Sequence, residues 1–193
     1  MYIENMVTNL AKRAMTTEGQ KACMIIDHLV EALGNDASSS LRRALILTDI
    51  DQYPGTTQAG VMERLNLDKS TVKRETDWLF DYGCIRVQDC DDDGRAKKIE
   101  VEGYSKKGLE AALGYFDGQH DNMKMFVEGF AKILKQEKPT LRDAKIIAAL
   151  TEKRKASKQE IIDTLYEESA ATQNRAFNKL REEGLIEENG DAA

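Results

Sequence analysis

Apolar residues recur along much of this chain at steps of three and four, the spacing that places them on one face of a helix. Ala22, Ile25, Ile26, Leu29, Val30 and Leu33 form one such stripe, and Met6 and Leu10 begin a similar one. The pattern predicts helix over about residues 3–33, broken near Thr16 to Gly19 and ended by Gly34-Asn35-Asp36. Leu41 to about Tyr53 is a second helix, with Leu41, Ala44, Leu45 and Leu47 or Thr48 inward. Pro54-Gly55 is a turn, and Thr56 or Thr57 caps a third helix that holds Val61, Met62 and Leu65. The fourth follows Leu67. Asp68 suits its N-cap, Val72 and Leu79 share a face with Phe80 beside them, and Gly83 suits a left-handed stop.

The period then changes from helical to alternating. Ile85 and Val87 precede a polar tip, Asp89-Cys90-Asp91-Asp92-Asp93-Gly94-Arg95, and Ile99 and Val101 follow it, which predicts a hairpin. Three short helices and a hairpin make a winged helix-turn-helix, whose third helix lays its amino-terminal half in a DNA major groove. Residues 105–138 return to helix. Leu109, Ala112, Leu113 and Phe116 form one stripe, Asp117-Gly118 a break, and Met123, Phe126, Val127, Phe130, Ile133 and Leu134 a stronger stripe.

From Pro139 the order repeats. Leu141, Ala144 and Ile146 echo Leu41, Ala44 and Ile46; Ile161 and Leu165 echo Val61 and Leu65; one residue later in register, Gly184 and Ile186 echo Gly83 and Ile85. Helix, turn, helix, turn, long helix, glycine and a short strand recur in the same order, which predicts a second winged-helix unit.

Size and composition allow this organisation. The chain has 193 residues, 41% of them hydrophobic, enough for one large domain or two small ones. No apolar run spans a bilayer and no secretory signal is visible, which points to a cytoplasmic protein. Charged residues at 32% and a mean hydropathy of -0.54 fit exposed helices. The net charge of -6 requires a DNA binder to gather its cations on one face. Lys69, Lys73 and Arg74 form such a cluster, and Arg95, Lys97 and Lys98 could reach a phosphate or a minor groove.

The segments DKSTVKR, DDDGRAKKIEV and SKKGLEAAL, in that order around a glycine-ended helix, resemble the MarR family of transcription regulators over about residues 41–115. The resemblance implies a dimer on a palindromic operator, in many members released by a small molecule; no effector is identifiable here. It implies DNA contacts from Lys69, Ser70, Thr71, Lys73 and Arg74, with Arg95 in the wing. Lys97 and Thr57 join the candidate set. The chain departs from the family pattern at Glu75 and Thr76, which replace apolar residues, and at Trp78 and Phe80, which replace charged ones. The helix face is therefore rotated, or Trp78 packs elsewhere in the chain. Glu102-Gly103-Tyr104 is an insertion before Ser105, and the wing tip carries one arginine where many members have two.

The second unit carries Thr172, Gln173, Asn174, Arg175, Asn178 and Lys179 on its long helix, about residues 169–183. Gln173, Asn174, Arg175 and Lys179 are the second set of candidate DNA contacts, since such side chains read base edges and phosphates. They are also ordinary exposed helix residues. Lys153, Arg154, Lys155 and Lys158 form a basic loop, whereas the end from Glu187 is acidic and suits a protein contact as well.

No phosphate loop, dinucleotide fingerprint or nucleophile elbow is present. Cys23, Cys84 and Cys90 lack a zinc spacing, and His28 and His120 are isolated, so no catalytic residue, cofactor or metal site is expected. Some peroxide-sensing MarR-like proteins place a reactive cysteine where Cys23 lies, but its apolar neighbours favour a buried thiol.

The expected fold is mainly α with small β-hairpin wings: tandem winged helix-turn-helix units, the first MarR-like, linked by long helices. Residues 1–37 form a packing segment, 38–104 the first winged helix, 105–138 a connector and 139–193 the second unit. Residues 3–33 and 105–138 would join two chains in a homodimer. The expected function is sequence-specific binding of double-stranded DNA, as a repressor acting by occupancy and not as an enzyme. A protein-interaction scaffold, with Trp78 and Phe80 as its contact patch, is the alternative reading. A replication, plasmid or phage maintenance factor is another.

Overall fold

The computed structural model describes residues 17–89, 97–152, 158–162 and 169–186. The leading helix α1, Glu18–Ala32, starts at Thr17, where the break was expected. The Thr17 hydroxyl accepts from the Gln20 amide, and the Gln20 side chain returns to the Thr17 amide, a reciprocal capping box. Ile25, Ile26, Leu29 and Val30 are buried along its predicted stripe.

Helices α2 (Leu41–Gln52), α3 (Gln58–Leu65) and α4 (Lys69–Asp81) follow with short links. Strand β1 (Ile85–Asp89) then pairs antiparallel with β2 (Lys97–Val101), with Ile85 opposite Val101 and Asp89 opposite Lys97. Thr56 adds a one-residue bridge to Ile99, which ties the wing to the turn before α3. This is a winged helix-turn-helix. Helix α2 is buried nearly all round at Leu41, Ala44 and Ile46 to Ile50, because α4 and β2 cover one side and a later helix the other.

Helix α5, Gly103–Leu113, begins inside the predicted insertion. Glu102 stands at its N-cap and Tyr104 accepts a hydrogen bond from Asn35, so the extra residues lengthen the helix and tie it to the end of α1. Gly108 fixes the crossing with α1. A β-carbon there would lie 2.7 Å from the Ala32 nitrogen and 2.9 Å from the His28 oxygen, both backbone atoms. After a short 3-10 turn, Asp117 and Gly118 take positive φ and break the helix as expected. Helix α6, His120–Leu134, buries Met123, Val127 and Leu134, whereas Ile133 is exposed.

Helices α7 (Leu141–Glu152), α8 (Lys158–Ile162) and α9 (Ala170–Glu182) repeat the order of α2, α3 and α4. Leu185-Ile186, expected as a strand, forms a bend without a β partner among the described residues; Ile186 is still buried. Within residues 3–33 and 105–138, expected to join two chains, Ile25, Ile26, Leu29, Val30, Met123, Val127 and Leu134 are buried in this chain, while Met24, Met125 and Ile133 are exposed. Helix α1 packs against α5 and α7, and α6 packs against α2.

Candidate nucleic-acid interface

Helix α4 enters through a left-handed Asn66 at φ 50°, which turns the chain sharply between α3 and α4. Asp68 then caps α4 by accepting from the Thr71 amide at 2.8 Å. The Ser70 hydroxyl also donates to Asp68, at 2.5 Å. These bonds, Ser70's foremost and then Thr71's, hold the Asp68 carboxyl well below its ordinary 3.8. An ionised carboxylate at the helix amino end offsets the positive end of the dipole. Attraction for a phosphate therefore falls to the side chains that follow.

Those side chains divide by face. Lys69, Ser70, Lys73 and Arg74 are exposed. Thr71, expected among the contacts, is turned toward the core and only 7% exposed. Lys73 pairs with Asp77 at 2.5 Å and Arg74 with Glu75 at 2.9 Å, so both cations are reached by solvent yet already partnered. A cleft of about 580 Å³ opens between α3, α4 and the wing, and brings Thr57, Lys69 and Lys97 together. Thr57 is the N-cap of α3, accepting from the Gly60 amide at 3.2 Å, so its side chain is committed to the helix end. Arg95 and the wing tip from Cys90 onward lie outside the described residues.

The departures at Glu75, Thr76 and Trp78 have a direct explanation. Glu75 and Thr76 remain on the buried face, so the helix is not rotated. Arg43 neutralises Glu75 from α2 at 2.8 Å. Thr76 satisfies its hydroxyl by donating to the Val72 carbonyl at 2.8 Å and accepting from Gln58 at 2.7 Å. Trp78 lies beneath the Arg43 guanidinium, 4.0 Å from ring centre to carbon, and stacks on Tyr82 at 3.9 Å. It is packed within the chain; Phe80 and Tyr82 are the exposed aromatic residues of this end. Gln58 and Arg43 carry no local pattern that marks them as partners of α4. The buried acid at position 75 was the available signal, since an interior carboxylate requires a cation.

A second ionic cluster positions the helix-turn-helix. Asp49 is fully buried and accepts from Arg64 at 2.7 Å and Lys124 at 2.8 Å. It joins α2 to α3 and to α6. His120 meets Asp51 at 2.9 Å and Gln52 donates to Asp121 at 3.2 Å along the same α2–α6 contact.

In the second unit the candidates separate. Gln173 is 7% exposed and faces the core, so it is not placed to read a base. Lys179 is held by Gln136 at 3.1 Å and faces Asp143 at 3.5 Å, a tie between α9 and the start of α7. Lys158, expected in a basic loop, donates to Asn178 and lies over the Phe177 ring, while Lys153, Arg154 and Lys155 lie outside the described residues. Arg175 is exposed, and Asn174 beside it is half-buried, donating to the Ala170 carbonyl at 2.7 Å.

Among the described residues, no three His, Cys, Asp or Glu side chains converge to hold a metal ion, and no helix is long and apolar enough to cross a membrane. Cys23 is half-buried and Cys84 buried, and burial pushes the Cys84 thiol above its ordinary 9.0.

No protein-family model and no curated protein matches this sequence. Solved structures do. The chain is similar to Streptococcus pneumoniae FabT in complex with DNA, at 20% identity over 75% of this chain and 76% of that one, with a TM-score of 0.34. A MepR mutant of S. aureus bound to an oligodeoxyribonucleotide matches at 16% identity, over 94% of this chain and 95% of that one, with a TM-score of 0.35. The PcaV transcriptional regulator from Streptomyces coelicolor, with its natural ligand, matches at 22% identity over 49% and 69%, with a TM-score of 0.36.

Proposed function

We propose that this protein binds double-stranded DNA and regulates transcription by occupying it. The observation that carries the reading is the exposed amino-terminal half of α4. Lys69, Ser70, Lys73 and Arg74 stand clear of the core on the third helix of a winged helix-turn-helix, beside a cleft that Lys97 also lines. Such a helix end fits a major groove. Lys69, Lys73 and Lys97 would meet phosphates and set the register, and Ser70 and Arg74 would meet base edges. Binding requires Lys73 and Arg74 to exchange Asp77 and Glu75 for the nucleic acid. No step of chemistry is needed.

Fluorescence anisotropy tests this with the duplex upstream of the protein's own gene against a scrambled duplex, at low and moderate salt. The expected result is selective binding that weakens steeply with salt. A Lys73→Ala/Arg74→Ala double variant should lose about ten-fold or more in affinity and flatten the salt slope. Weak, equal binding to both duplexes, unchanged in the variant, would sink the proposal. It would favour a protein-docking role instead, for which the exposed Phe80 and Tyr82 are the supporting observation.

A further inference from the structure

The two units meet in a contact whose central pair of bonds is unchanged by an exchange of the halves, with one further bond, from the Arg142 amide to the Ala37 carbonyl at 3.0 Å, outside that symmetry. Ser40 and Thr140 form an antiparallel bridge. The Leu41 amide donates to the Pro139 carbonyl at 2.9 Å, and the Leu141 amide donates to the Ser39 carbonyl at 2.9 Å. An antiparallel bridge carries a local two-fold axis. Here that axis relates the starts of α2 and α7. Both bridging residues also cap their own helices, Ser40 by accepting from the Arg43 amide and Thr140 from the Asp143 amide.

The relation extends outward from the bridge. Helix α1 precedes the first unit and packs on α7 of the second; α6 precedes the second unit and packs on α2 of the first. The leading helices are therefore exchanged, as between the subunits of a symmetric dimer. Buried positions coincide as well. Leu41, Ala44 and Ile46 match Leu141, Ala144 and Ile146. In the long helices Val72, Glu75, Thr76 and Leu79 match Gln173, Ala176, Phe177 and Leu180, all buried. Asp68 and Ser169 cap the two helices at the same register. The outward positions correspond too: exposed Lys73 and Arg74 match half-buried Asn174 and exposed Arg175.

Charge distinguishes the two helices. Helix α4 carries Lys69, Lys73 and Arg74 against Glu75, Asp77 and Asp81, whereas α9 carries Arg175, Lys179 and Arg181 against Glu182 alone. The second helix is thus the more basic of the pair.

We propose that one chain is an internal pseudo-dimer that presents α4 and α9 to a single duplex and reads an asymmetric site of two unlike halves. Asn174 and Arg175 determine specificity in the second half. This rests on the DNA-binding reading above and adds to it the form of the target and the stoichiometry. A two-fold relation between recognition helices calls for half-sites about one helical turn apart. Unlike helices make those half-sites differ in sequence.

The test is selection of bound duplexes from a randomised pool with the full chain, followed by the mass of the complex in solution. The expected motif has two dissimilar halves and one chain per duplex. Asn174→Ala/Arg175→Ala should erase base preference in one half only and weaken binding on the order of ten-fold or more. Lys73→Ala/Arg74→Ala should erase the other half. A palindromic motif holding two chains would overturn the pseudo-dimer while leaving DNA binding intact. So would a motif that the Asn174/Arg175 variant leaves unchanged although the Lys73/Arg74 variant abolishes it. No enriched motif and no salt-dependent binding would overturn both readings together. Thermal unfolding of each variant at the wild-type midpoint separates lost contact from lost fold.

Discussion

Asp49 stands in the first half where Ala149 stands in the second, and Glu75 stands where Ala176 does. All four are buried. The first half fills these places with carboxylates and surrounds them with Arg64, Lys124, Arg43 and Arg74; the second fills them with methyl groups. A buried ion pair adds little net stability over an apolar replacement, because both charges lose water. Its geometry is nevertheless demanding. At these two positions the same scaffold is held by directional ionic contacts in one half and by apolar packing in the other, while the second half keeps its ion pairs elsewhere, at buried Asp143 and Lys145.

The sharpest way to break this contrast is Asp49→Ala. It leaves Arg64 and Lys124 facing each other without their carboxylate. Stability in urea should fall by about 3–5 kcal/mol, the usual cost of removing one partner of a buried pair. An unchanged unfolding midpoint would mean that the cluster does not hold the first half together. Next in size is Gly108→Ala, which forces a methyl group against the α1 backbone. A loss of about 1–3 kcal/mol is expected from overpacking, read as a lower melting temperature, because backbone atoms cannot turn aside.

Ser169→Ala sharpens the comparison at the second long helix. The Ser169 hydroxyl accepts from the Thr172 amide at 3.3 Å, and its loss should cost about 1 kcal/mol. Faster amide exchange in the first turn of α9, with α4 unaffected, would localise the effect. The smallest effects depend on pH. Cys84 is pushed up by burial, so the folded state keeps the thiol protonated where an unfolded chain would ionise it. Its contribution is complete below 9.0 and is lost as pH rises through and beyond that value. Alkylation of Cys84 should accordingly await unfolding. Asp68 has the opposite sign. Its stabilisation is full above 3.8 and disappears only as pH falls below that value, which acid titration of wild type against Asp68→Asn would resolve.

The helices were legible because their apolar stripes, caps and stops agree. Thr17 restarts the leading helix, Asp68 opens α4 and Gly83 closes it with φ at 68°. The order of the helices recurs in the second half, with a one-residue shift in α9. What periodicity did not reveal was the destination of each stripe. An apolar face at Ile25 to Leu33 or at Met123 to Leu134 seeks a cover, and its pattern is the same whether another chain or another half provides it. The polar candidates were harder for a related reason. Thr71 and Gln173 look like surface residues, yet each lies on the helix face that its apolar neighbours bury. Lys179 looks like a phosphate ligand until the approach of Asp143 and Gln136, from 36 and 43 residues away, is known.

In the proposed pseudo-dimer, the bridge between Ser40 and Thr140 also changes how occupancy of a DNA site depends on abundance. Separate subunits must first find each other, so at low concentration the population of their complex rises with the square of the amount of protein. Halves joined in one chain meet at an effective concentration set by the intervening helices, and dilution does not part them. Occupancy of a site then rises in simple proportion to the number of molecules. Each half can also change without imposing the same change on its counterpart.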